Sequence, residues 1–247
     1  MDEKTTENIA ENAEEPVHIR APSPIDRAFL TGQDHVGTLL LVRHGQQAWP
    51  DPDNSVSADW VDPALSETGR RQAECVGEFL SSRPISAVYS SHLSRAYDTG
   101  TAIARHHGLE IEVIEALAEI HLYRDLPQDE KAVDTLGQRA MEGVWERFVQ
   151  TQRWDAYPYT ERSEDFRRRV GWAVESTIVS HPGETIVVAC HGGVINAYLA
   201  EILGLQVDMF YRPFHASIQR ILFGHGKRVL ETLNEESYLA AAGLLTH

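Results

Sequence analysis

Two short apolar runs in this chain each end in histidine-glycine, and the first carries an arginine just before its histidine. They are Leu39-Leu40-Leu41-Val42-Arg43-His44-Gly45 and Thr185-Ile186-Val187-Val188-Ala189-Cys190-His191-Gly192-Gly193. A neutral imidazole offers one nitrogen as nucleophile while the other donates a hydrogen bond that fixes the tautomer. A guanidinium keeps its charge and presents a rigid fork of donors to an anion's oxygens. Arg95, in Ser90-Ser91-His92-Leu93-Ser94-Arg95-Ala96-Tyr97-Asp98-Thr99, supplies a second fork. A single Arg-His after a strand reads as a solvated loop end; its recurrence as His-Gly points both imidazoles into one cleft. Two arginines and two histidines suit phosphoryl transfer, in which charge spreads over equatorial oxygens and the protein mainly positions and stabilises.

The elements that must position this set follow from the apolar pattern. A run such as Leu39 to Val42 between Gly37 and Gly45 predicts a strand buried on both faces, which belongs to a parallel sheet. Ligands bind beyond the carboxyl ends of such strands, where His44 and His191 fall. Ile85 to Tyr89 reads as a third strand and Ile111 to Ile114 as a short fourth. Between them a helix is expected from Ser66, its N-cap, to Ser81, with Ala73, Val76, Phe79 and Leu80 as its stripe. A second runs from Leu93 to His107 and carries Arg95 on its first turns. Further helices are expected over Asp129 to Gln152, from Thr160 or Ser163 to Ser180, and from Val194 to Leu203, where Gly204 stops the chain. Ser217 to Phe223 and Lys227 to Leu233 flank Gly224-His225-Gly226 and predict a hairpin, which makes the sheet mixed. The expected fold is a three-layer α/β/α sandwich, with a mostly parallel mixed sheet and helices on both faces.

The chain's 247 residues suffice for one sizeable core, and 42% hydrophobic composition is that of a globular protein. Its net charge of -15 argues against nucleic acid or an anionic membrane as partner, since both demand a basic face. Residues 1–35, with Glu3, Glu7, Glu11, Glu14 and Glu15 and no hydrophobic period, are expected to form a disordered acidic tail before a domain spanning 36–247. With no secretory pattern and no run of roughly 20 apolar residues, a cytoplasmic location is expected. Cys75 and Cys190 read as small apolar fillers of a reduced protein.

Arg43-His44-Gly45 after the first strand resembles the hallmark of the histidine phosphatase superfamily, also called phosphoglycerate mutase-like. The resemblance extends over Leu65-Ser66-Glu67-Thr68-Gly69-Arg70-Arg71-Gln72-Ala73, Ser90 to Thr99, the second His-Gly strand, His215-Ala216-Ser217-Ile218 and Leu233-Asn234. It implies that His44 becomes a phosphohistidine while Arg43, Arg95 and His191 hold phosphoryl oxygens, and that no metal or other cofactor takes part. It also implies a general acid after the strand that follows the arginine helix. The matching residue is Glu119, with Glu112, Glu115 and Asp125 as alternatives, because the chain continues Ile120-His121-Leu122-Tyr123-Arg124-Asp125 and departs from the family pattern. Gln46, Gly192 and Arg124 complete the candidate phosphate- and substrate-binding set.

The expected activity is metal-independent hydrolysis of a small phosphorylated metabolite, by a chain that works alone or as a homodimer. A 2,3-bisphosphoglycerate-dependent phosphoglycerate mutase is the alternative, although Gln46-Gln47-Ala48-Trp49-Pro50 keeps only the tryptophan of the mutase segment. A non-catalytic phospho-ligand scaffold needs none of Arg43, His44, Arg95 and His191. The twelve histidines show no metal-ligand spacing; His106-His107 reads as a solvated helix end and His92 and His121 as structural or exposed. Trp49 and Trp60 are expected to anchor the 46–63 loop to the core. Within the Ile120 to Arg162 segment, Arg124, Trp154 and Tyr157 are expected to roof the cleft and choose the substrate, and Trp145 and Phe148 to pack inside.

Overall fold

The computed structural model describes residues 21–247, which divide after Gln33 into two units, the described residues 21–33 and residues 34–247. In the first, Pro24–Phe29 forms α1 behind an N-cap at Ser23. The Ser23 hydroxyl accepts from the Asp26 N–H, and the Asp26 carboxylate accepts from the Ser23 N–H. Residues 24–29 are therefore helical inside the stretch expected to be a structureless tail; residues 1–20 of that stretch lie outside the described ones.

The second unit is built on a six-stranded sheet of order β3-β2-β4-β1-β5-β6. Its strands are β1 Gly37–Arg43, β2 Ile85–Ser90, β3 Ile111–Val113, β4 Thr185–Cys190, β5 Ile218–Gly224 and β6 Lys227–Glu235. The first four run parallel; β5 is antiparallel to β1, and β6 to β5. Helices α2 Glu67–Leu80, α3 Ser94–Ala104, α6 Ser163–Ser180, α7 Gly192–Leu203 and α8 Ser237–Ala241 cover the two faces. Successive strand residues point to opposite faces. Leu39, Leu41, Ile186 and Val188 accordingly pack with Phe166, Val170 and Val174 of α6 and Ile195 and Leu199 of α7. Leu40, Val42 and Val187 meet Val76 and Leu80 of α2, Ile103 of α3 and Leu239 of α8. Each fully buried side chain of this kind stabilises the fold by about 1.5–3 kcal/mol relative to exposure. The mixed, mostly parallel sheet between two helical layers is the fold expected from the apolar runs.

Local chemistry sets the element ends. The Ser66 hydroxyl accepts from the Gly69 N–H at 3.0 Å and caps α2, and Gly204 ends α7 in the left-handed conformation. The expected single helix over Asp129 to Gln152 is broken: α4 Ala132–Leu136 and α5 Gln138–Thr151 meet at Gly137, whose φ of 80° lies outside the helical region. The arginine helix stops at Ala104, three residues short of the expected end at His107. Among the described residues no helix is long and apolar enough to cross a membrane.

Candidate active site

Strand pairing brings the two His-Gly sequences together. Arg43 is in register with Cys190 on parallel neighbours, so the residues that follow, His44 and His191, leave the sheet side by side. The His44 N–H donates to the Cys190 carbonyl at 2.9 Å, and the two ring centroids stand 5.2 Å apart. The His44 ring places Nδ1 2.7 Å from the Gly45 carbonyl. A carbonyl only accepts, so Nδ1 carries the proton and Nε2 keeps its lone pair. Nε2 in turn accepts from Arg95 Nε at 3.3 Å.

The backbone holding His44 is tightly supported. A Cβ on Gly69 would sit 1.9 Å from the Gln46 carbonyl oxygen, so the first turn of α2 rests on the loop just after His44. The Gly45 N–H donates to the Thr99 hydroxyl, which donates to the Arg95 carbonyl one turn back on α3. The loop carrying His44 and the helix carrying Arg95 are thereby tied to each other.

Arg95 is buried, donating from Nη1 to the Val61 carbonyl at 3.1 Å and facing Asp62 at 3.5 Å. Arg43 donates to the Pro213 carbonyl and leaves its buried Nε without a protein partner. Burial pushes the Arg43 guanidinium down to about 10, partly offset by Glu119, and it still carries its charge at neutral pH. Both nitrogens of the buried His191 ring also lack a protein partner. Gly192 follows beside Arg43: a Cβ there would stand 3.7 Å from its Nε.

Glu119 is the carboxylate that reaches this cluster. Its Oε2 accepts from the Gly193 N–H at 2.9 Å in the first turn of α7, and its Oε1 from the Ile120 N–H at 3.0 Å. The helix N-terminus favours a negative group there. A Cβ at Gly193 would lie 2.3 Å from Glu119 Oε1, so any larger residue there must push that carboxylate aside. Arg169 secures the approach by donating to the carbonyls of Ala116 and Ala118 while paired with Glu161. Glu112, Glu115 and Asp125 are exposed, and none donates to or accepts from Arg43, His44, Arg95 or His191.

Two other expected site residues are placed differently. Gln46 Oε1 accepts from the Ser66 hydroxyl at 2.9 Å, bracing the α2 cap. Arg124 is exposed beside Asp125 at 3.4 Å. His121 bonds Gln128, and His92 is exposed. The tryptophan loop is not anchored in the core: Trp49 and Trp60 are exposed, 6.2 Å apart. Trp154 stacks on Phe148 at 5.0 Å, whereas Trp145 is half exposed rather than packed inside. Among the described residues no group of three or more His, Cys, Asp or Glu is placed to hold a metal ion.

Sequence reading did not single out His215 as a site residue. It is fully buried, its ring is 5.8 Å from that of His44, and its Nδ1 bonds the Thr246 hydroxyl at 2.9 Å. Its Nε2, like the Tyr211 hydroxyl, is buried without a protein partner. The signal was the His215 to Ile218 segment: β5 is antiparallel to β1, so the residues before it, not after it, arrive at the end of the sheet where His44 lies.

The three imidazoles are held neutral. Burial, the other histidine and the two guanidiniums keep His44 well below the usual histidine range; burial and the same guanidiniums do so for His191. His215 is pushed down to about 3 by burial and Arg43. These folded-state values lie below the unfolded one near 6.5, so in acid the unfolded chain binds more protons. The stability they allow is complete above about pH 6.5 and falls as pH drops toward the folded values, by about 1.4 kcal/mol per pH unit for each imidazole. Chemical denaturation at stepped pH is expected to show this loss between pH 6.5 and 5, and a shallower slope for His215→Asn. An equal slope in both proteins would remove His215 from the account.

The family model of the histidine phosphatase superfamily, branch 1, matches residues 39–236. The chain is 33% identical to a phosphoglycerate mutase of Schizosaccharomyces pombe over 183 residues, 70% of this chain and 83% of the relative. It is 29% identical to a metal-independent phosphoserine phosphatase of Arabidopsis thaliana over 220 residues, 86% of this chain and 87% of the relative. A solved mycobacterial glucosyl-3-phosphoglycerate phosphatase superposes with a TM-score of 0.65 at 25% identity, covering 81% of this chain and 99% of that one. With the model spanning both His-Gly strands and the arginine helix between them, the chain belongs to the histidine phosphatase superfamily, branch 1.

Proposed function

We propose that this protein hydrolyses a small phosphomonoester through a phosphohistidine at His44, without a metal ion. The observation that carries this reading is the fixed tautomer of His44, with Nδ1 on the Gly45 carbonyl and Nε2 unprotonated, accepting from Arg95 Nε at 3.3 Å. In the first step Nε2 attacks phosphorus and the bond to the leaving oxygen breaks. Arg43, Arg95 and His191 take the equatorial oxygens, and Glu119 gives its proton to the departing oxygen. In the second step Glu119 takes a proton from water as that water attacks phosphorus. The N–P bond breaks, phosphate leaves and neutral His44 is restored. The buried, unpartnered Arg43 Nε and the one N–H of neutral His191 supply donors for the phosphoryl group, and the His215 ring lies 5.8 Å from that of His44.

A mutase reading is favoured by the similarity to the S. pombe phosphoglycerate mutase. Against it, Gln47 and Pro50 stand where the mutase segment carries its hydroxyl and its asparagine amide. The test is release of inorganic phosphate from acetyl phosphate and from phosphoglycerate in excess chelator, with the phosphoglycerate isomers followed in parallel. Phosphate release without isomerisation is expected. Isomerisation without net phosphate release would establish the mutase, and loss of all turnover in chelator would overturn metal independence.

A further inference from the structure

The tautomer of His44 depends on the orientation of one peptide group. The Gly45 carbonyl that faces His44 Nδ1 at 2.7 Å belongs to the same planar unit as the Gln46 N–H, and in a trans peptide the two point in opposite directions. The Gln46 N–H donates to Gln72 Oε1 at 2.7 Å. Both polar groups of this peptide therefore meet side chains. The peptides on either side are held by backbone instead: the His44 carbonyl accepts from the Ala216 N–H, and the Gln46 carbonyl from the Ser66 N–H. Gly45 has no Cβ to resist rotation of the peptide that follows it, so what fixes that peptide is the pair of side chains.

Gln72, on α2, is fully buried, and its amide has only one workable orientation. Its Nε2 donates to the Leu244 carbonyl at 2.6 Å and to the Thr246 hydroxyl at 2.8 Å. Turned over, the amide would set its oxygen against the Leu244 carbonyl and its nitrogen against the Gln46 N–H, acceptor on acceptor and donor on donor. Thr246 is fixed in turn: its carbonyl accepts from the His215 N–H at 3.1 Å, and its hydroxyl lies 2.9 Å from His215 Nδ1. Ala216, the next residue, returns to the His44 carbonyl. Hydrogen bonds thus run from the His44 loop through Gln72, Thr246 and the 215–216 segment back to His44, a closed circuit around its backbone.

Building on the phosphatase reading, we propose that Gln72 is a positioning residue for phosphoryl transfer. By holding the Gln46 N–H it keeps the Gly45 carbonyl on His44 Nδ1, and so keeps Nε2 unprotonated and available to phosphorus. With that peptide rotated, Nδ1 loses its acceptor and the proton shifts to Nε2, which then has no lone pair to attack with. Leu244 and Thr246 act through the same amide, which they orient.

The experiment reads the tautomer directly. Ring nitrogen-15 shifts of His44, identified as the signals missing from His44→Ala, are compared by NMR near neutral pH in the wild-type protein, in Gln72→Met and in Thr246→Val. Methionine keeps the length of the side chain and loses both halves of the amide; valine keeps the shape of Thr246 and removes one acceptor of the amide nitrogen. The wild-type protein is expected to show a protonated Nδ1 and an unprotonated Nε2. Gln72→Met is expected to add a population with Nε2 protonated and to lower kcat for acetyl phosphate by about tenfold or more, with KM little changed because Arg43, Arg95 and His191 are untouched. Thr246→Val is expected to move both readings the same way by less, and it keeps the measurement available should Gln72→Met fail to fold. A mere structural prop would lower the melting temperature and leave the tautomer as it is. A single Nδ1–H tautomer in every folded variant would overturn the proposal and leave the phosphatase reading standing. A shifted tautomer, in a protein whose wild type releases no phosphate, would sink the phosphatase reading while the hold of Gln72 on His44 stands.

Discussion

His44→Ala is expected to lower kcat for any phosphomonoester by about 10⁴-fold or more, because the step that forms the phosphoenzyme has lost its nucleophile. Near-UV circular dichroism should be unchanged. The segment is held by the His44 N–H on the Cys190 carbonyl and by the contact of Gly69 with Gln46, neither of which involves the imidazole. His44→Asn serves as a second variant that keeps a polar group against the Gly45 carbonyl. Wild-type turnover that survives both substitutions would remove His44 from the mechanism while leaving the fold assignment untouched.

Glu119→Gln should have the next largest effect, and it should depend on the leaving group. An amide can still accept from the Gly193 N–H, so α7 and His191 stay in place, but it has no proton to give. An alkyl phosphate, whose alkoxide leaves poorly, is expected to slow by about 10²–10³-fold, and dinitrophenyl phosphate to be nearly unaffected. Equal losses for both substrates would make Glu119 a support of the α7 N-terminus rather than the acid. Alanine at Gly193 offers an independent check, since its Cβ would displace the same carboxylate and should reproduce the leaving-group dependence.

What could be read from the chain was what strand geometry forces. Leu39 to Val42 and Ile186 to Ala189 are apolar at every position because both faces of the sheet are covered. A parallel pair carries whatever follows its strands to one end, which is why Arg43, His44 and His191 could be placed together. Arg95 was legible for a similar reason: it sits on the first turn of the helix that leaves β2. His215 was not singled out because the same logic looks only after strands, whereas an antiparallel neighbour delivers the residues before it. Glu119 could not be separated from Glu115 and Asp125, because what selects it is the Gly193 N–H, 74 residues away in sequence.

The middle of the chain was the least legible part. Its helical period was visible, but the break at Gly137 depends on one backbone dihedral that periodicity does not register. Trp145, Phe148 and Trp154 are all large aromatics, yet Trp145 is half exposed while Phe148 and Trp154 stack on each other. Arg124 is exposed and pairs with its neighbour Asp125 at 3.4 Å. These are decisions of local backbone geometry made among similar residues, and no residue type announces them.

Hydrolysis through His44 requires a covalent bond between phosphorus and Nε2, and trapping that bond is its most direct test. Wild-type protein is mixed with radiolabelled phosphomonoester, quenched within a turnover, and digested so that the labelled peptide can be sequenced by mass spectrometry. Label is expected on the peptide containing His44, lost in acid and retained in base as a phosphoramidate is, and absent from His44→Ala. Stoichiometric label on another residue, or active turnover with no label at any quench time, would contradict the account.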